Sequence, residues 1–199
     1  MTIPDFSRLP EPDSGRRPTL VVVSGRPGSG KSTLARGLAD ALSCPMVSRD
    51  EINEGIFRTL GRGPEPADKD QVAKLTFDAF FRVLTLLVSY DVTFVAEAAF
   101  QDLRWRIGLE PLLPMADVKV IHCTIDPEFA RERVIRRRLE RRDARRREQA
   151  PAGTQTVEPG LATVRPFEPL SLPVPSLTVS TIDGYDPRLE EITAFVQSG

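Results

Sequence analysis

Short apolar runs alternate with amphipathic stretches along most of the chain. Residues 20–23 (Leu-Val-Val-Val) are wholly apolar and mostly β-branched, which is typical of a parallel strand buried on both faces. Similar runs occupy residues 44–48, 92–96, 118–125 and 177–180, and apolar positions at helical spacing occupy residues 32–42, 50–60, 70–89, 103–113, 127–149 and 187–196. Because strands and helices alternate, the pattern predicts an α/β fold of three layers with a five-stranded, mainly parallel sheet.

Two proline-rich segments interrupt this alternation. Residues 1–18 contain four prolines and no apolar periodicity, so we expect a disordered tail there. Residues 150–176 contain six prolines and predict an irregular crossing that leads to the last strand. The rest has the length of one domain, so we assign residues 19–199 to a single domain that includes an arginine-rich helix at about 127–150.

The composition excludes several classes of protein. The 27 Lys and Arg residues and 28 Asp and Glu residues give a net charge of −1, whereas a dedicated nucleic-acid binder is strongly positive. No run approaches the roughly 20 apolar residues of a membrane span, so we expect a soluble, cytoplasmic protein. The two cysteines, Cys44 and Cys123, indicate neither a disulfide framework nor a zinc site. His122 lies inside an apolar run, so we expect it to be a hydrogen-bonded residue of the core.

Residues 25–32 (Gly-Arg-Pro-Gly-Ser-Gly-Lys-Ser) fit the phosphate-binding pattern G-x-x-x-x-G-K-[ST], between a predicted strand and a predicted helix. Glycines let the loop curl so that its N–H groups point at phosphate oxygens, and the helix start adds its own free N–H groups. We therefore predict a nucleoside triphosphate site. Its candidate residues are Arg26, Gly28, Ser29, Gly30, Lys31, Ser32 and Thr33, with Lys31 on the β- and γ-phosphates and Ser32 on Mg²⁺. The sequence does not indicate whether the bound nucleotide is ATP or GTP.

Five segments carry a resemblance to a known family. They are SGRPGSGKSTLA, SRDEI, VAEAAF, ARERVIRRR and LTVSTIDGYDP. Together they resemble the small P-loop kinases of the chloramphenicol phosphotransferase, gluconate kinase and polynucleotide 5′-kinase type, also called AAA family ATPases. The resemblance runs from about residue 20 to residue 196, and implies a kinase that transfers a phosphoryl group from Mg-NTP to an alcohol group. The sequence departs from the family at Ser180, where many members have Asp.

The resemblance also implies roles for three residues near the ends of predicted strands. Asp50 matches the acid that takes the proton of the acceptor hydroxyl, and it would also suit the N-cap of the following helix. Glu97 matches a magnesium-linked acid, which would hold a Mg²⁺ water, orient the acceptor or cap the next segment. Arg104 matches an arginine that contacts the acceptor, while its neighbour Trp105 suits packing.

Residues 131–147 contain ten arginines and three acids. Ion pairs along the helix therefore cannot neutralise all of the arginines, and an excess of positive charge remains. The resemblance places this helix in a lid over the triphosphate, with Arg133 and Arg137 at the catalytic spacing and Arg136 as a further nucleotide contact. The arginines at 141–147 continue the run beyond what the family pattern requires. They could face an anionic acceptor, a second copy of the chain in a homodimer, or nucleic acid, and these alternatives stay open.

We expect the acceptor to lie over the carboxyl ends of the strands, against apolar side chains of residues 51–89 that include Phe57 and Phe81. Such a wall suits a hydroxylated metabolite or an antibiotic, so one hypothesis is an antibiotic-inactivating kinase of the self-resistance kind. A second hypothesis is a polynucleotide 5′-hydroxyl kinase, which the net charge disfavours. A third is a non-kinase NTP-binding switch, although Asp50 suits a hydroxyl acceptor.

Overall fold

The computed structural model describes residues 17–60, 68–100, 102–148 and 167–198, with the backbone alone at 102–104, 138 and 141–148. Most of the predicted tail (1–18) and most of the predicted crossing (150–176) therefore lie outside the described residues, and the domain division stays a prediction. Residues 167–175, at the end of the crossing, form neither helix nor strand.

Strands and helices alternate as the sequence predicts. The strands are β1 (Thr19–Gly25), β2 (Met46–Ser48), β3 (Phe94–Ala98), β4 (Asp117–Thr124) and β5 (Ser176–Ser180). The helices are α1 (Lys31–Leu42), α2 (Arg49–Leu60), α3 (Lys69–Ser89), α4 (Asp102–Leu109), α5 (Pro127–Glu148) and α6 (Leu189–Gln197), with a 3₁₀ turn at Glu110–Leu112. None of the described helices has both the length and the hydropathy that a membrane crossing requires.

The five strands form one sheet in the order β2-β3-β1-β4-β5, and every neighbouring pair is parallel. This confirms the predicted α/β fold. β1 lies at the centre, and the chain leaves it for β2 on one side and later for β4 on the other. Such a change of direction opens a crevice at the carboxyl ends of the central strands, where parallel-sheet proteins bind ligands. The glycine-rich loop follows β1 at this crevice.

The third strand begins two residues later than the sequence predicts. The helix α3 ends in a turn in which Asp91 adopts a left-handed φ of 54° and the Val92 N–H donates to the Leu87 carbonyl. This turn takes Val92 out of the strand, although its β-branched side chain favours extended backbone. As a result Glu97 lies inside β3, paired in register with Val23 of β1.

Alternate residues of the central strand face two separate cores. Leu20 and Val22 pack with α3, α4 and β4 on one side, while Val21 and Val23 pack with α1 and α6 on the other, and all four are fully buried. Each such side chain contributes roughly 1.5–3 kcal/mol to folding. Because both faces are covered, the polar chemistry is confined to the edge where the strands end.

Five aromatic rings pack between α3 and α4. They belong to Phe77, Phe80, Phe81, Phe100 and Trp105, and the Phe77 and Phe81 centroids are 4.7 Å apart. Gly108 of α4 lies against this cluster, since a Cβ there would come within 2.3–2.5 Å of the Phe81 ring. Phe81 and Gly108 also line a groove of about 520 Å³ along α3. The absence of a side chain at residue 108 thus lets the two helices approach.

We predict that Gly108→Ala destabilises the fold by about 1–3 kcal/mol, because the added methyl group forces the packed Phe81 ring to move. The matched control is Gly55→Ala in α2, where a Cβ meets no atom within 4 Å. That change should stabilise the protein by about 0.5–1 kcal/mol, since alanine is the better helix former. Urea unfolding measures both values, and equal effects of the two substitutions would contradict the packing argument.

Candidate active site

The loop after β1 takes a shape that glycine makes possible. Gly28 and Gly30 have φ values of 87° and 78°, in the left-handed region that side chains disfavour. A Cβ at Gly28 would also lie 2.4 Å from the Ala130 carbonyl oxygen, because the start of α5 packs directly on the loop. The Ser29 N–H closes the turn by donating to the Arg26 carbonyl at 3.1 Å. The loop is therefore held from within and from the helix α5 above it.

The helix α1 presents an uncapped N-terminus to the crevice. Gly30 is the N-cap residue and supplies no side chain, and its carbonyl accepts the Thr33 N–H at 3.0 Å. The N–H groups of Lys31 and Ser32, at the first two helical positions, have no acceptor within the helix. Together with the positive end of the helix dipole they form an anion-binding site.

A buried carboxylate joins three elements beneath this loop. Glu97 Oε1 accepts the Ser32 hydroxyl at 3.1 Å and lies 3.5 Å from Lys31 Nζ, and Glu97 Oε2 accepts the Ser48 hydroxyl at 2.9 Å. The Glu97 side chain is fully buried, Lys31 and Ser48 are nearly so, and Ser32 is half-buried. A buried charge is tolerated only where it is paired and hydrogen-bonded, and here both oxygens have partners.

The oxygen atoms of this cluster suit Mg²⁺. Magnesium prefers hydroxyl, carboxylate and phosphate oxygens and keeps several of its waters, so it needs few protein ligands. Ser32 Oγ and Glu97 Oε1 lie side by side, 3.1 Å apart, next to the anion-binding helix start. In the part of the chain that the structure describes, no group of three or more His, Cys, Asp or Glu residues forms a separate metal centre. The hydroxyl and carboxylate pair therefore fits a metal that the phosphates of a nucleotide also bind.

Asp50 lies two residues beyond Ser48, in the first turn of α2. Its carboxylate accepts a hydrogen bond from Arg49 Nη1 at 3.0 Å, and its side chain is 67% exposed. Because α2 begins at Arg49, Asp50 lies inside the helix and does not occupy the N-cap position. The N-cap alternative is therefore wrong, although an acid in the first turn still interacts favourably with the helix dipole.

The arginine-rich helix brings one predicted lid residue onto the loop. Arg133 Nη2 donates to the carbonyls of Thr181 and Ile182 at 3.0 and 3.1 Å, and its Nη1 lies 3.7 Å from the position of a Cβ on Gly30. Arg137 follows one helical turn later and lies on the same side of α5.

Arg136 lies near an acid of α5 itself. Its side chain is 73% exposed, and its Nε atom lies 3.9 Å from Glu140 Oε1, one turn further along the helix. The side chains of Arg104, Arg138 and the arginines at 141–147 lie outside the described residues.

The remaining predicted site residues are spread over the crevice and the helices beside it. Arg26 is half-buried in the loop and Thr33 is exposed on α1. Phe57 lies on α2 with half of its surface exposed, whereas Phe81 is half-buried in the aromatic cluster between α3 and α4. These two aromatic residues therefore belong to different helices.

Sequence reasoning missed two hydroxyl groups that organise the site. Ser48 binds the buried carboxylate, and Thr181, which is 4% exposed, donates its hydroxyl to the Ser29 carbonyl at 2.6 Å. Both residues lie at the carboxyl ends of strands, Ser48 in β2 and Thr181 just after β5. Their position at the ligand-binding edge of the sheet was the available signal.

Two other titratable residues lie close to the loop. Cys123 is paired in register with Gly25, and burial raises the pKa of its thiol to about 12, so it stays protonated as expected of a core cysteine. Burial also lowers the pKa of His122. The His122 Nδ1 atom is buried and has no hydrogen-bond partner among the described residues.

We predict that Ser48→Ala lowers the free energy of unfolding by about 1–3 kcal/mol, because Glu97 Oε2 is then buried without its hydroxyl partner. The control is Ser198→Ala, which removes an exposed hydroxyl bonded to the Phe195 carbonyl. That change should shift stability by less than about 0.5 kcal/mol. Urea unfolding of both variants tests the prediction, and an unaltered Ser48→Ala midpoint would contradict it.

Comparison with known proteins places this site in a family. A family model described as an AAA domain matches residues 20–166. The adenylyl-sulfate kinase of Acaryochloris marina is 30% identical over 133 residues, which are 62% of this chain and 60% of the relative. The cytidylate kinase of Haloarcula marismortui is 47% identical over 57 residues, which are 28% of each chain. The chain thus spans less than two thirds of the length of either relative.

The fold has a close counterpart among solved structures. A putative kinase from Chloroflexus aurantiacus superimposes with a TM-score of 0.70 at 23% identity, covering 92% of this chain and 96% of that one. The likeness therefore extends over most of both chains and shows a shared fold. The resemblance to small P-loop kinases is confirmed at the level of family and fold, and the chain belongs to the AAA domain family.

Proposed function

We propose that the protein is an O-phosphotransferase that moves the γ-phosphate of Mg-ATP to a hydroxyl group of a small organic molecule. The observation that supports this most strongly is the buried Glu97, which joins Lys31 and Ser32, at the start of α1, to Ser48 at the end of β2. The glycine-rich loop that precedes α1, residues 25–30, is called the phosphate loop below. Through Glu97, the strand β2, which leads into Asp50, is connected to the start of α1, where the nucleotide phosphates would bind. GTP is the alternative donor.

The phosphate side of the proposed site consists of backbone and one cation. The N–H groups at the start of α1 bind phosphate oxygens, and the Lys31 ammonium group neutralises charge on the β- and γ-phosphates. Lys31 is almost fully buried, so its charge acts in a medium that screens it less than water does. Ser32 and Glu97 would hold Mg²⁺, which supplies further neutralisation of phosphate charge when bound.

The acceptor side of the proposed site depends on Asp50. As the acceptor oxygen attacks the γ-phosphorus, its proton passes to the Asp50 carboxylate, while the bond between the γ-phosphorus and the bridging oxygen breaks and the diphosphate leaves. Asp50 is exposed, so its oxygens remain accessible to a substrate. Arg133 lies beside the loop, where its positive charge stabilises the transferring group.

A hydroxyl acceptor is favoured over a phosphate acceptor. The name of a cytidylate kinase implies a nucleoside monophosphate as acceptor. The attacking phosphate oxygen of such an acceptor carries no proton at neutral pH, so no base is needed to remove one. An exposed carboxylate directly after a strand end suits the removal of a hydroxyl proton. The half-exposed Phe57 on α2 provides an apolar contact, so we propose an acceptor with an apolar portion, such as an antibiotic.

A turnover screen tests the proposal. Mg-ATP and Mg-GTP are each combined with hydroxylated metabolites, antibiotics, adenylyl sulfate, cytidine monophosphate and 5′-hydroxyl oligonucleotides, and products are detected by mass as a gain of one phosphoryl group. We expect a small hydroxylated molecule to gain that mass, and Lys31→Ala to lose the activity. A product from cytidine monophosphate alone, or hydrolysis that no acceptor stimulates, would overturn the proposal.

We predict that Asp50→Asn lowers kcat by about 10² to 10⁴ while the affinity for Mg-ATP stays unchanged, because asparagine cannot accept the proton. The control is Glu51→Gln, which removes the adjacent carboxylate that pairs with Arg36 at 3.2 Å. That variant should keep its turnover. Steady-state kinetics on the acceptor found in the screen supply kcat, and isothermal titration supplies the nucleotide affinity. Full turnover by Asp50→Asn would remove this residue from the mechanism.

A further inference from the structure

Thr181 connects three parts of the nucleotide side of the molecule. It follows β5, and its hydroxyl donates to the Ser29 carbonyl in the phosphate loop at 2.6 Å. Its N–H donates to the Thr124 carbonyl at the end of β4 at 3.1 Å, and its own carbonyl accepts a hydrogen bond from Arg133. With 4% of its surface exposed, Thr181 makes these contacts in an environment that largely excludes water.

The contact with Ser29 fixes the direction of one peptide group. In a trans peptide the carbonyl of one residue and the N–H of the next point in opposite directions. The Ser29 carbonyl points at Thr181, so the Gly30 N–H points away from it. Gly30 is the N-cap of α1, and its N–H lies among the donors that a bound phosphate requires.

Nothing in the loop backbone itself restricts this peptide group strongly. Gly28 and Gly30 lie on either side of Ser29, and glycine rotates between positive and negative φ with little cost. The Ser29 N–H is engaged with the Arg26 carbonyl, which leaves the Ser29–Gly30 peptide to be fixed by a contact from outside. The Thr181 hydroxyl supplies that contact from a residue 152 positions away.

We propose that Thr181 is a positioning residue for phosphate binding: its hydroxyl holds the Ser29–Gly30 peptide in the orientation that aims the Gly30 N–H at the phosphate. This proposal rests on the nucleotide site of the proposed function. A donor that is already aimed needs no reorganisation when the phosphate arrives, so binding is tighter. The Thr181 carbonyl also accepts from Arg133, so the same residue attaches α5 to the loop.

The test compares three variants by isothermal titration with Mg-ADP, Mg-GDP and magnesium pyrophosphate, the last of which lacks a base. Thr181→Val keeps the shape but removes the hydroxyl, and should weaken pyrophosphate and nucleotide binding by about threefold to tenfold, the range for one hydrogen bond. Thr181→Ser should restore affinity. The control Thr193→Val removes an equivalent hydroxyl-to-carbonyl bond, to Leu189 in α6, and should bind as the wild type does.

Each outcome decides a different question. Wild-type affinity for pyrophosphate in Thr181→Val, or equal losses in Thr181→Val and Thr193→Val, would overturn the positioning role. A wild-type protein that binds none of the three ligands would overturn the nucleotide site itself and this inference with it. A similar fall in melting temperature for both valine variants, with lost affinity in Thr181→Val alone, supports positioning over a general loss of stability.

A second measurement does not depend on whether the valine variant folds. In the wild-type protein the Gly30 amide proton should move downfield on addition of magnesium pyrophosphate, as its N–H begins to donate to a phosphate oxygen. The Ser29 amide, already bonded to the Arg26 carbonyl, should change much less. Nuclear magnetic resonance of labelled protein records both signals, and an unmoved Gly30 amide would overturn the proposal.

Discussion

The buried charge of Glu97 constrains the architecture of the whole site. A carboxylate buried near the carboxyl end of an interior strand is destabilising unless both oxygens are hydrogen-bonded or paired with a charge, and here Ser32, Lys31 and Ser48 provide the partners. These partners come from α1 and β2, so the helix that follows the phosphate loop and the strand that leads to Asp50 must both lie next to β3. The parallel strand order β2-β3-β1 provides this arrangement.

Close packing of backbone on backbone is the second constraint. The phosphate loop lies directly against the start of α5, where a side chain at Gly28 would collide with the Ala130 carbonyl. The loop is therefore enclosed by the sheet below, by α5 above and by Thr181 at its side. A loop fixed on three sides presents its N–H groups with little freedom left to lose, which is the condition for tight binding of an anion.

The sequence predicted the features that depend on local pattern and missed those that depend on distant contacts. The five strands, the order of elements and the phosphate loop follow from periodicity and from one motif, because β1, the loop and α1 are consecutive. The start of β3 was misjudged, since the turn after α3, with its left-handed Asp91, continues through Val92. Thr181 and Ser29 are 152 residues apart, so only the folded sheet reveals that they meet.

The two acids of the site, Glu97 and Asp50, differ in their exposure to solvent, and this difference suits them to different roles. Glu97 is buried, and its oxygens contact a cation and two hydroxyls, so its charge is held in a fixed position away from solvent. Asp50 is exposed and accepts one hydrogen bond from the neighbouring Arg49 among its described contacts, which leaves lone pairs open toward solvent. A phosphotransferase needs one group of each kind, because the metal and phosphates require a fixed counter-charge while the acceptor requires an accessible base. The burial of one carboxylate and the exposure of the other therefore favour Asp50 for proton transfer and Glu97 for organising the phosphate side.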